Sequence, residues 1–114
     1  MTCEIRQLHA LFVGEVDGVD LRRPIDASTF AKLQAAIDRH AALVFHGEKL
    51  SEDEQIAFSE RFGDIAGSNT VLQTGTVRRV SPRLVDISNL DEAGQILDLG
   101  DRRRMFALGN QLWH

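Results

Sequence analysis

The run Ala41-Ala42-Leu43-Val44-Phe45 constrains this chain most, because it is continuously apolar, is closed by His46-Gly47 and lies between two helical patterns. A short apolar run bounded by turn residues fits a strand buried on both faces. Before it, Phe30, Leu33, Ala36 and Ile37 recur at three- and four-residue spacing, which predicts an amphipathic helix over residues 28–40. Asp26 and Ser28 both suit its N-cap, and Pro24 keeps a helix from running through the connection at 22–25. After the run, Ser51 can cap a second helix, and Glu54 three residues on completes a capping box. Glu52, Asp53 and Glu54 fall in the first turn, where the helix dipole favours acids, so they read as helix-start electrostatics and not as a catalytic carboxylate pair. This helix is expected over residues 52–62, with Gly63 in the left-handed position beyond its end.

Residues 8–21 read as extended structure containing a turn. Leu11-Phe12-Val13 is apolar, Gly14 breaks it, Val16, Val19 and Leu21 resume it, and Asp17-Gly18 is turn-prone. Residues 67–82 show no period and are rich in Gly, Ser and Thr. They read as a mobile loop of the kind that serves as a lid or binding loop. Leu84-Val85-Asp86-Ile87-Ser88 alternates like a strand, residues 89–94 make a turn, and Ile96-Leu97-Asp98-Leu99 reads as a second short strand. Residues 100–104 read as a charged connection whose three arginines form a solvated surface.

At 114 residues the chain amounts to one small domain. Its net charge of -4 argues against nucleic acid or an anionic membrane as a partner. No apolar run reaches the roughly 18 residues of a membrane-crossing helix, and the start Met1-Thr2-Cys3-Glu4 lacks the form of a signal peptide. Cys3 is the one cysteine, so no internal disulfide can form, and a cytoplasmic location fits best. With no base partner in view, Cys3 does not read as catalytic. Three histidines have plain structural readings: His9 as an exposed or capping residue, His40 at a helix C-terminus, and His46 as a polar strand end.

The last stretch, Gly109-Asn110-Gln111-Leu112-Trp113-His114, is different in kind. Together with Leu8-His9-Ala10-Leu11-Phe12, Glu15-Val16-Asp17-Gly18-Val19-Asp20-Leu21, Ala42-Leu43-Val44-Phe45-His46-Gly47, Leu50-Ser51-Glu52-Asp53-Glu54-Gln55-Ile56-Ala57-Phe58, Arg61-Phe62-Gly63 and Asp86-Ile87-Ser88-Asn89, it resembles the N-terminal part of a known family, in family order. That family is the taurine dioxygenase/2,4-dichlorophenoxyacetate dioxygenase family of Fe(II)- and α-ketoglutarate-dependent oxygenases. Two of these stretches, 86–89 and 110–114, look nearer to the herbicide-degrading branch.

The resemblance implies an α+β chain forming the N-terminal portion of a double-stranded β-helix, or jelly roll, with early strands and two flanking helices. Residues 1–114 would then be a single N-terminal part of an oxygenase domain, cut at the first metal-ligand motif. His114 would be the first iron ligand, and Asn110 would lie toward the substrate pocket on the same strand face. Fe(II) would be the metal and α-ketoglutarate the cosubstrate. A facial site needs two histidines and a carboxylate, and the acid and second His that should follow His114 are not in this sequence. The fragment alone is therefore expected to be inactive, the complete protein an enzyme that hydroxylates and so cleaves a small organic acid, aryloxyalkanoate- or taurine-like. That leaves room for a homo-oligomer. The alternative, of another class, is a stand-alone α/β binding or interaction module that pairs through an exposed sheet edge.

Overall fold

A computed structural model describes residues 2–47, 49–66 and 79–108. These divide into two compact units, Met1–Asp64 and Ile65–His114.

In the first unit, β1 (Glu4–Gln7) and β2 (Gly14–Asp17) pair antiparallel, Ile5 opposite Val16 and Arg6 opposite Glu15. The chain then crosses over through α1 (Ala27–His40) and returns as β3 (Leu43–Phe45), parallel to β2, with Val16 opposite Phe45. The sheet order is therefore β1-β2-β3. Successive strand side chains alternate faces. Ile5, Gln7, Gly14, Val16, Leu43 and Phe45 share one face, and Arg6, Glu15 and Val44 share the other.

Helix α1 begins where the sequence allowed two caps, and Asp26 is the one used: its carboxylate accepts from the Thr29 amide at 2.7 Å and the Thr29 hydroxyl at 3.1 Å. These bonds hold the Asp26 carboxyl below the usual carboxylate range, the Thr29 amide contributing most. Leu33, Ala36 and His40 form the buried stripe, and Leu33 is wholly enclosed. The helix closes on Ala41 in the left-handed conformation (φ 64), whose N–H donates to the Ile37 carbonyl at 2.9 Å.

Helix α2 (Glu52–Glu60) carries the expected capping box, the Glu54 amide donating to Ser51 Oγ at 3.2 Å and the Ser51 amide to Glu54 Oε2 at 2.8 Å. It stops two residues short of the expected end. The chain tightens into three-residue steps there, Phe62 N–H to the Ser59 carbonyl and Gly63 N–H to the Glu60 carbonyl, and Gly63 (φ 151) does not occupy the left-handed helical cap. Phe58 meets Phe45 and Phe62 edge-on, and Phe62 meets Phe30 in the same way, so this aromatic chain ties α2 to β3 and α1.

The strand expected to be buried on both faces is half-buried along its length. Its position explains this: β3 has β2 on one side and lies at the edge of the three-stranded sheet. An apolar run reports a preference for burial, and the edge of a small sheet offers only part of it.

In the second unit, residues 84–88 do not form the expected strand, since no ladder partner lies beside them among the described residues. The second expected strand reduces to one bridge, Leu90 opposite Ile96, around an Asp91 turn that ends on Gly94 (φ 76). The charged connection at 100–104 is instead largely helical: Asp101 caps the first turn of α3 (Arg102–Ala107) by accepting from the Arg103 amide at 2.9 Å.

Candidate functional site

Both residues that the sequence marks for function, His114 as metal ligand and Asn110 toward the substrate, lie outside the described residues, as does the stretch 67–78 of the expected loop. Among the described residues no three His, Cys, Asp or Glu side chains stand close enough to hold a metal ion.

The remaining histidines are placed in three different settings. His9 Nδ1 accepts from the Leu11 amide at 3.1 Å and its ring meets Phe12 edge-on, a turn contact. His40 is buried at the end of α1, its ring against the backbone of Gly14. His46 does more than end a strand: its Nε2 lies 2.8 Å from Glu15 Oε1.

Glu15 is the centre of that second sheet face. Arg6, its cross-strand neighbour on β1, donates through Nε (2.9 Å) and Nη2 to Oε2, while His46 beyond β3 takes Oε1. The carboxylate thus links all three strands with its side chain only 13% exposed. The Arg6 hydrogen bonds, followed by that from His46, hold its pKa below the usual glutamate range. Reading the sequence missed this network. Its signal is the alternation of Glu4-Ile5-Arg6-Gln7, too short to stand out without its partner strand.

The second unit is organised by ion pairs. Arg79 grips Asp86 with a fork of 3.0 and 2.7 Å, lowering the Asp86 pKa. Arg103 spans Asp101 and Glu92, so one of the three arginines read as solvated surface is a tie between two turns.

Comparison with known proteins gives consistent results. Residues 4–114 match the sequence profile described as Taurine catabolism dioxygenase TauD, TfdA family. The chain is 33% identical, along its whole length, to the alpha-ketoglutarate-dependent 2,4-dichlorophenoxyacetate dioxygenase of Burkholderia sp. (strain RASC), of which it covers 38%. To the (S)-phenoxypropionate/alpha-ketoglutarate-dioxygenase of Delftia acidovorans it is 34% identical, 99% of this chain matching 36% of that one. Among solved structures, that of AAD-2 in complex with Mn(II) and N-oxalylglycine superposes with a TM-score of 0.79 at 37% identity, covering all of this chain and 36% of the other. A taurine dioxygenase from Burkholderia xenovorans superposes with a TM-score of 0.56 at 32% identity over 59% of this chain and 24% of its own. The chain spans 36–40% of the length of the first curated relatives it matches.

Proposed function

Because the chain belongs to the taurine catabolism dioxygenase TauD, TfdA family, we propose that it is the N-terminal portion of an Fe(II)- and α-ketoglutarate-dependent dioxygenase. The complete protein hydroxylates a small organic acid, aryloxyalkanoate-like or taurine-like, and so cleaves it. The observation that carries this reading is the match along the entire chain to dioxygenases named for aryloxy acids. In the complete protein both units are parts of one jelly-roll oxygenase domain in the cytoplasm; among the described residues no helix is long and apolar enough to cross a membrane. Neither nucleic acid nor a membrane is a partner, and the 114-residue chain alone is inactive.

In this reading His114 is the first iron ligand and Asn110 faces the substrate, with residues 67–82 over the pocket. Imidazole suits Fe(II), and the bound iron supplies the oxidising chemistry. The remaining ligands and the α-ketoglutarate anchors come from sequence beyond this chain. His114→Ala in the complete enzyme should abolish metal binding and α-ketoglutarate turnover while leaving the melting temperature close to wild type. Coupled turnover at near wild-type rate in that variant would remove His114 from the site and bring the interaction-module alternative forward.

A further inference from the structure

A second site candidate lies away from residues 109–114, on the helix-covered face of the sheet. An open groove of about 510 Å³ runs between β1 and α1, lined by Cys3, Ile5, Gln7, Lys32, Ala35, Ala36, Arg39 and His40. No aspartate or glutamate lines it, although acids outnumber Lys and Arg in the chain by 17 to 13. Lys32 and Arg39 stand seven residues apart, so both project along one side of α1. Neither forms an ion pair or hydrogen bond among the described residues. The Lys32 charge is felt by Cys3 and by the capping Asp26. His40 is the one polar or charged side chain buried among the described residues, 7% exposed, and its imidazole has no hydrogen-bond partner there. A buried polar group without a partner is costly, and such groups in folded proteins are nearly always satisfied by protein, water or ligand.

We propose that this groove binds a small organic polyanion bearing carboxylate or phosphate groups, with Lys32 and Arg39 supplying the charge and His40 the buried N–H donor. The partial negative charge at the C-terminus of α1 opposes an anion in principle. Here the end of the helix is already occupied: the His40 carbonyl accepts from Val13 and the Ile37 carbonyl from Ala41, both at 2.9 Å. Ile5, Ala35 and Ala36 give the groove an apolar floor for the carbon skeleton of the ligand. The site is independent of the oxygenase reading, since none of its residues is among those assigned to iron or substrate.

The test is calorimetric titration of the complete, metal-free protein with citrate and, separately, inorganic pyrophosphate. Saturable binding of either is expected, and the anion that binds identifies the group recognised. Lys32→Glu and Arg39→Glu change exposed side chains, so both variants should fold, as a thermal melt will check. Each should weaken binding by about tenfold or more, while dioxygenase turnover without added anion stays at the wild-type rate. His40→Gln, which retains an N–H donor, should bind better than His40→Phe. No saturable heat with either anion would overturn the proposal, as would binding that both charge reversals leave intact. A loss of turnover in His114→Ala bears on the oxygenase reading alone.

Discussion

Gly14 shows how much a single position can decide. A Cβ built there would sit 3.0 Å from His40 Cδ2 and 3.1 Å from Leu43 Cδ2, so the imidazole and a strand neighbour meet over bare backbone. In sequence Gly14 reads as a break in an apolar stretch; in the structure it opens β2 and makes room for the end of α1. Gly14→Ala gains some backbone entropy, but the new methyl requires the buried His40 ring to give by a few tenths of an ångström, and this overpacking outweighs the gain. A net loss of about 1 kcal/mol in chemical denaturation is expected. Stability at or above wild type would mean that the ring can shift. Gly18 meets a harder limit: its φ of 79 and the Thr2 carbonyl 2.2 Å from a built Cβ leave only glycine. The Asp17-Gly18 pair signalled a turn and marks a bend at the end of β2, while the connection from β1 falls at residues 8–13; the positive φ at Val13 and Ala41 had no signal, since neither residue favours it.

At the scale of elements, legibility followed how local the cause was. The capping box of α2 is contained in four residues, and the sequence alone displays it. Ser51→Ala removes the acceptor for the Glu54 amide and should cost about 1 kcal/mol. Glu54→Gln should cost less, because its amide oxygen can still take the Ser51 N–H. Equal losses would show that the Glu54 charge near the helix dipole contributes as much as the hydrogen bond to Ser51. Both long helices were readable from stripes and caps. Strands fared worse because a strand is defined by its partner. Residues 84–88 have the alternation of a strand, yet the Arg79–Asp86 fork and the Ser81 turn hold that stretch instead. At 101–104, charge concealed a helix start: the arginines read as exposed surface, while Asp101 was the residue that decided the local structure.

Across the whole molecule, the family was legible because ordered short motifs survive where individual elements are ambiguous, and the profile match over residues 4–114 rests on the same order. The electrostatic ties were not legible, because Glu15 meets His46 across 31 positions of sequence. Those ties set a pH dependence. Glu15 has a folded pKa below its ordinary value, chiefly through Arg6, and Asp20 is lowered to about 2, chiefly through Arg22. A carboxyl with a depressed folded pKa contributes stability that is present above its unfolded pKa and lost as pH falls through the folded one. For Glu15 the loss therefore begins below about pH 4.5, the usual glutamate value, and is complete once the carboxylate is protonated in the folded protein. The complete protein carries many other carboxylates, so the informative quantity is a difference. Urea midpoints of wild type and Glu15→Gln should be separated at pH 7, where only the wild type has the charged centre that joins β1, β2 and His46. As the pH is lowered below the glutamate range, the two midpoints should converge, because both proteins then carry a neutral group at position 15. A separation that persists undiminished at pH 2.5 would mean that packing of the side chain, and not its charge, accounts for the contribution of Glu15.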